Sequence, residues 1–170
     1  MSSRVLMLRS LVLLAVLSSP ALALEGKVVG VVDGDTIDVL DSSKRQHRVR
    51  FDAIDAPERG QPFSNRAKST LSDLVFGKTV RVDTEGPDKY DRTIGRVYVD
   101  GRDVGLAMLE AGMAWHYTKY DQSKKYADGE KSAKDAGRGL WSDPRRVPPW
   151  EWRKMDKAER DKRRSPQSVR

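Results

Sequence analysis

The chain has 170 residues and a net charge of +7, with 32 Lys/Arg against 25 Asp/Glu. It has no cysteine, which excludes disulfides, thiolate metal sites and cysteine nucleophiles. The excess positive charge sits at the ends. The first 23 residues hold two arginines and no acid, and Glu151–Arg170 hold eight Lys/Arg against four Asp/Glu, so residues 24–150 carry only +1 and overall basicity is weak grounds for a polyanion partner.

In chain order, MSSRVLMLRS places Arg4 and Arg9 before an apolar run, Leu11 to Leu17, and the small-x-small triplet Ala21-Leu22-Ala23. That is the layout of a secretory signal peptide. The run is far short of the roughly 20 apolar residues that span a bilayer, although an uncleaved anchor helix is the alternative. The expected organisation is a signal peptide over 1–23, one domain over 24–150 and a basic tail over 151–170. The expected location is the periplasm or the exterior, with no stable membrane insertion after cleavage and a monomeric product.

KVVGVVDGDTIDVLD reads as two strands joined at Asp33-Gly34, a short-range hairpin signal. QHRVRFDAI alternates, with Val49, Phe51 and Ala53 on one face and Arg48, Arg50 and Asp52 on the other. After Pro62, the spacing of Phe63, Ala67, Leu71 and Leu74 predicts a helix that Gly77 stops. KTVRVDTE and RTIGRVYVDG are two further strands. DVGLAMLEAG is a helix that Asp103 can cap, and SKKYADGEKSAKDAG a second, with Gly129 costing it about 1 kcal/mol relative to alanine. LWSDPRRVPPWEW is broken by prolines, its tryptophans expected to lie back on the body. The remaining charged run is expected to be a frayed helix or disordered. Three strands, a helix, two strands and two helices suggest an α+β, mainly β, architecture: a five-stranded barrel of the OB type with three helices.

The densest chemistry is RFDAIDAPE at 50–58, where Asp52, Asp55 and Glu58 crowd the end of a strand. Carboxylates this close need solvent, arginine or a metal ion between them, and hard cations such as Ca²⁺ take their oxygen ligands from Asp, Glu and carbonyls. If the second and third strands pair, Asp35 and Asp55 can converge at one end of the barrel. Blander readings exist for each piece: Asp33-Gly34 as a plain turn, DAPE as a helix cap, and a strand arginine as a solvated surface residue. Arg50 and Arg92, each able to grip a phosphate in two-point fashion, together with a metal site and a glutamate make the set that phosphodiester hydrolysis requires.

DGDT at 33–36, R-x-x-x-x-D-A-P-E at 50–58, DKYDR at 88–92, DGRDVGLAMLEAGMAW and RGLW at 138–141 occur in an order and spacing that resemble the staphylococcal-type thermonucleases across about residues 26–142. The resemblance implies a secreted, Ca²⁺-dependent, OB-folded nuclease acting on DNA and RNA with little base preference and leaving 3′-phosphate ends. It implies that Asp35, Asp55 and the carbonyl of Ala56 bind Ca²⁺, and that Glu58 is the general base or positions the water. It implies that Arg50 and Arg92 grip the scissile phosphate, that Lys89 and Tyr90 contact a neighbouring one, and that Trp115 and Tyr117 stack on a base. Against the family's best-known member, Ala56 replaces a threonine, Trp115 a tyrosine and Asp91 a glycine, and the segment after Glu58 is shorter. The alternatives are an OB-fold module that grips single strands without cutting them, and a scaffold domain. His47 and His116, the only histidines, lack a motif that would make them a ribonuclease pair or a zinc site.

Overall fold

The computed structural model describes residues 23–164. Apart from Ala23, the expected signal peptide lies outside the described residues, as do residues 165–170. The strands are β1 (Ala23–Val31), β2 (Thr36–Asp41), β3 (Gln46–Phe51), the two-residue β4 (Ile54–Asp55), β5 (Thr79–Pro87), β6 (Thr93–Val99), β7 (Arg102–Asp103) and β8 (Trp115–His116). The helices are α1 (Ser64–Val75), α2 (Val104–Glu110), α3 (Lys124–Asp135), α4 (Pro149–Trp152) and α5 (Lys157–Arg164).

Five strands close a barrel. β1, β2 and β3 form an antiparallel meander, β5 pairs antiparallel with β1 and β6, and β6 completes the ring by running parallel to β3. Alternation along each strand sends Val28, Ile37, Val49, Phe51, Val82 and Val97 inward, each at most 3% exposed. Burying each such side chain is worth about 1.5–3 kcal/mol, which lets the barrel stand without disulfides. The expected five-stranded OB-type barrel and its three helices, α1 to α3, are all present, with two short helices added at the C-terminal end.

α1 buries Ala67, Leu71 and Val75 against the barrel. The anticipated stripe is off at both ends. Phe63 takes a left-handed conformation (φ 70°) ahead of the helix, which turns its ring away to a second apolar cluster with Trp115, Leu140 and Trp141. Leu74 is only partly buried, and Val75 takes the core position. Asp103 caps α2 as expected, its side chain accepting from the Leu106 amide at 3.0 Å. Gly129 has a packing reason: a Cβ there would fall 2.7 Å from Leu106 Cδ1, so the glycine lets α3 lie close on α2. Trp152 is 2% exposed and Trp141 8%. The charged run after Trp152 is docked over its described length, because Trp152 anchors it and α5 sends Arg164 to the Gly60 carbonyl (2.6 Å) and Arg163 to the Arg145 carbonyl (3.1 Å).

Candidate active site

Strand register brings the charged residues to one rim. Thr36 pairs with Arg50, and the Phe51 amide donates to the Asp35 carbonyl (2.9 Å), so Asp35 sits at the mouth beside the end of β3. Parallel pairing of Val49 with Thr93 sets Arg92, the residue before β6, alongside β3, and its side chain lines the same cleft. Asp55 on β4 pairs with Trp115 on β8, which fixes its backbone beneath that rim. Gly34 makes the close approach possible: a Cβ there would lie 2.7 Å from Ala56 Cβ and 2.8 Å from Ala67 Cβ. The turn can therefore press onto the 55–58 loop and α1. No helix begins at Pro57; the Glu58 amide instead donates to Gln61 Oε1 (2.9 Å).

The acids meet. Arg50 lies between them, with Nη1 3.0 Å from Asp35 Oδ2 and Nη2 2.9 Å from Asp55 Oδ1. Asp35 Oδ2 also accepts from the Ala56 amide at 2.8 Å, and Oδ1 from the Thr36 hydroxyl at 2.9 Å. Asp55 is 1% exposed and Asp35 6%. Burial raises Asp55 above the ordinary carboxylate range, and its arginine partners only partly offset this. Burial, then the charge of Asp35, pushes Asp33 up to about 6. Burial pulls the Arg50 guanidinium down, but Asp35, Asp55 and Asp33 more than compensate and hold it firmly charged. Arg50 Nη1 is paired with Asp35 as an ion pair whose angle is poor for a hydrogen bond.

These groups line a cleft of ≈ 660 Å³. Asp33, Asp35, Arg50, Asp55 and Glu58 form its floor, and Lys89, Tyr90 and Arg92 line another part of it. Asp88 accepts from Arg92 Nε (2.9 Å) and Nη2 (2.6 Å) and so orients the guanidinium, which also lies 5.4 Å from the centre of the Tyr90 ring. Tyr90 is 67% exposed, and Lys89 lies over its ring at 4.8 Å. Asp91 is exposed in the left-handed region (φ 60°), a conformation that suits glycine and is tolerated by Asp.

Two residues are placed differently from expectation. Tyr117 lines the cleft but already stacks on Trp150, with ring centres 5.4 Å apart and 3° between planes, and meets Tyr120 edge-on. Trp115 is not in the cleft. It is 6% exposed, packed edge-on to Trp141 at 5.6 Å in the second apolar cluster, and offers no free face to a base. Its larger indole, on a strand whose partner is Asp55, is drawn into the core that α3 and residues 139–142 complete. The exposed aromatic on that wall is Tyr120, at 66%.

Sequence reasoning missed Arg153. Its Nη2 lies 2.8 Å from Asp55 Oδ2, and its Nη1 3.3 Å from Asp55 Oδ1 and 2.5 Å from Glu58 Oε1. It also missed Gln61, buried at 5%, whose amide donates to the Val147 carbonyl (2.6 Å) and ties the Glu58 loop to the C-terminal segment. The signal available for Arg153 was its place directly after an anchoring tryptophan; its membership of a charge run hid it.

The donor set fits a hard divalent cation in kind. It consists of the carboxylate oxygens of Asp33, Asp35, Asp55 and Glu58 in a cleft that Ala56 also lines. Among the described residues no three acidic or imidazole groups are already gathered as an ion would hold them, and arginines take up part of the lone-pair capacity of Asp35, Asp55 and Glu58.

Comparison with known proteins agrees with the geometry. The chain is 40% identical over 154 residues to a micrococcal nuclease of Shigella flexneri, a match covering 84% of this chain and 88% of that one. It is 40% identical over 131 residues to an uncharacterized endonuclease of Haemophilus influenzae, covering 77% and 74%. It is 43% identical over 169 residues to protein ParB of Escherichia coli, covering 91% and 95%. The family model described as staphylococcal nuclease homologue matches residues 48–143, which hold Arg50, Asp55, Glu58 and Arg92, and so the chain belongs to the staphylococcal nuclease family.

Proposed function

We propose that this nuclease hydrolyses the phosphodiester bonds of DNA and RNA with low sequence specificity, depends on Ca²⁺, and leaves 3′-phosphate ends. The observation that carries the reading is the convergence of Asp35, Asp55, Glu58 and Arg50 on one cleft floor, with the oriented Arg92 in the same cleft.

Asp35, Asp55 and the Ala56 carbonyl would hold the ion, which when bound supplies a Lewis acid to the phosphoryl oxygen. Arg50 brings a mostly buried cation, 15% exposed, to the cleft floor, where its charge stabilises the anionic phosphoryl group. Arg92, fixed by Asp88, presents a second guanidinium where charge accumulates on the transferring phosphoryl group. Glu58, with 38% of its side chain exposed, orients or deprotonates the attacking water. Lys89 and Tyr90 extend the contact to an adjoining phosphate. Tyr117 and Tyr120 offer aromatic surface that tolerates any base. A module that only gripped single strands would need neither the acid cluster nor Glu58.

We further propose that the chain is exported, on the strength of its charged-then-apolar opening. Among the described residues no helix is long and apolar enough to cross a membrane.

Plasmid DNA and total RNA are incubated with the protein in Ca²⁺ and then in chelator. Digestion of both, abolished by chelator and yielding ends that prime a polymerase only after phosphatase treatment, is expected. Digestion that survives chelation contradicts the calcium reading, and directly extendable ends contradict the 3′-phosphate reading.

A further inference from the structure

We propose that Arg153 is a further positioning residue of the active site: a built-in cation that holds Asp55 and Glu58 together and that the divalent ion must displace to bind. The inference rests on the calcium reading above.

Arg153 is not an ordinary surface arginine. A solvated surface ion pair contributes little to stability and pays side-chain entropy to hold one geometry. Here one planar fork reaches both oxygens of Asp55 and one of Glu58, at 2.8, 3.3 and 2.5 Å. Its main partner is 1% exposed, whereas the Arg153 side chain is itself 41% exposed. It thus approaches the acid cluster from the solvent side.

The chain is built to deliver it. Pro148 and Pro149 stiffen the approach, and Trp152, buried at 2%, fixes the residue before it. The Arg160 guanidinium donates to the carbonyls of Trp152 (3.2 Å) and Arg153 (3.1 Å), steadying the backbone. Two further ties run from the same segment to the Glu58 loop, Gln61 to Val147 and Arg164 to Gly60. Arg153 is the one of these contacts that enters the cleft. It lies outside residues 48–143, the span that the family model matches.

The charge balance gives the contact its consequence. Asp33, Asp35, Asp55 and Glu58 crowd one floor on which Arg50 is the other guanidinium. Arg153 supplies the missing positive charge in the absence of an ion, using the lone pairs of Asp55 and Glu58. A carboxylate presents about four such positions, and on Asp55 the two arginines together account for three. A divalent ion and the guanidinium then compete for the same acids and repel each other in a partly desolvated site. Because Glu58 is the group assigned to the water, the resting contact holds its Oε1 beside Asp55 and ties up one of its acceptor positions until the ion arrives.

The test is a calorimetric Ca²⁺ titration of the full chain as wild type, Arg153→Ala and Arg153→Lys, with thermal melts to confirm folding. Amide hydrogen exchange over 153–164 is measured with and without Ca²⁺. Arg153→Ala is expected to bind Ca²⁺ at least about tenfold more tightly than wild type. Arg153→Lys, which keeps the charge but lacks the fork, is expected to gain part of that increase. In wild type, Ca²⁺ is expected to raise exchange over 153–164. Equal or weaker binding by the folded variants overturns the proposal, as does exchange that Ca²⁺ leaves unchanged. Arg153→Lys matching wild type while Arg153→Ala binds more tightly also overturns it, because Arg153 then acts only through its distant charge. Should Arg153→Ala not fold, Arg153→Lys decides alone. Absence of Ca²⁺ binding in every form defeats the calcium reading and this inference together, whereas wild-type binding unaltered by the substitutions defeats this inference only.

Discussion

Two clusters of arginine and acid are built differently, although Asp52 of the first also lines the cleft. In the first, Arg96 bridges Asp52 (3.1 Å) and Asp121 while lying over the Tyr126 ring at 4.9 Å. Asp121 also accepts from His116 (2.8 Å), the Ser123 amide (2.9 Å) and the Ser123 hydroxyl (2.6 Å), and Tyr126 donates to Asp103 at 2.8 Å. This network fastens β6, the chain after β8, and α3 to one another, in a chain that has no disulfide to do so. The second is the cleft floor, where burial raises Asp33 and Asp55 despite their neighbouring arginines, and Glu58 is partly open to solvent. Buried charge alone does not mark a functional site. Buried charge left incompletely paired, beside a cleft, does.

Breaking the second cluster should cost activity and spare the fold. Glu58→Gln keeps the shape and removes the base, so kcat should fall by about 10²–10⁴-fold with an unchanged melting temperature. Single-turnover cleavage alongside a thermal melt measures both, and near-normal turnover refutes the role. Next in size, Arg92→Lys should lower kcat by about 10²-fold, because an ammonium cannot reproduce either the two-point hold on Asp88 or the grip on a phosphate.

Breaking the first cluster should do the reverse. Asp121→Asn should cost about 2–3 kcal/mol of stability by denaturant titration and leave turnover intact well below the melting temperature. Burial alone would raise Asp121, but hydrogen bonds from Ser123 and His116 and the charge of Arg96 hold it at about 2. Because the folded value lies below the ordinary value of about 3.9, this contribution is fully present above about pH 4. It is lost as pH falls towards 2. Melts between pH 2 and 5 should show a slope in wild type that Asp121→Asn flattens, and identical slopes would remove Asp121 from the network's acid sensitivity. The smallest effect separates two aromatics: Tyr117→Ala should raise KM several-fold, whereas Trp115→Phe should lower the melting temperature and leave KM alone. A KM effect for Trp115→Phe would return that residue to the cleft.

The barrel was legible because alternation is a local signal: Val49 and Phe51 point inward, and Arg50 between them must point to the other face. The meeting of Asp35 with Asp55 was legible once the second and third strands were paired. Phe63 was misplaced because its helical spacing says nothing about the left-handed residue that turns it away. Trp115 was assigned to a base by resemblance alone, and its burial depends on Trp141 and Leu140, which lie about 25 residues further along the chain. Arg153 lies 95 and 98 positions from the acids it touches, so no window on the sequence contains both sides of that contact. The reason for Gly129 likewise lies on another helix.

The account depends on Asp35 and Asp55 serving one ion. Calorimetric Ca²⁺ titration of wild type, Asp35→Asn and Asp55→Asn tests this directly, with far-ultraviolet circular dichroism confirming that each is folded. A single wild-type site that either substitution abolishes is the predicted result. Wild-type affinity retained in folded Asp35→Asn or Asp55→Asn would contradict it.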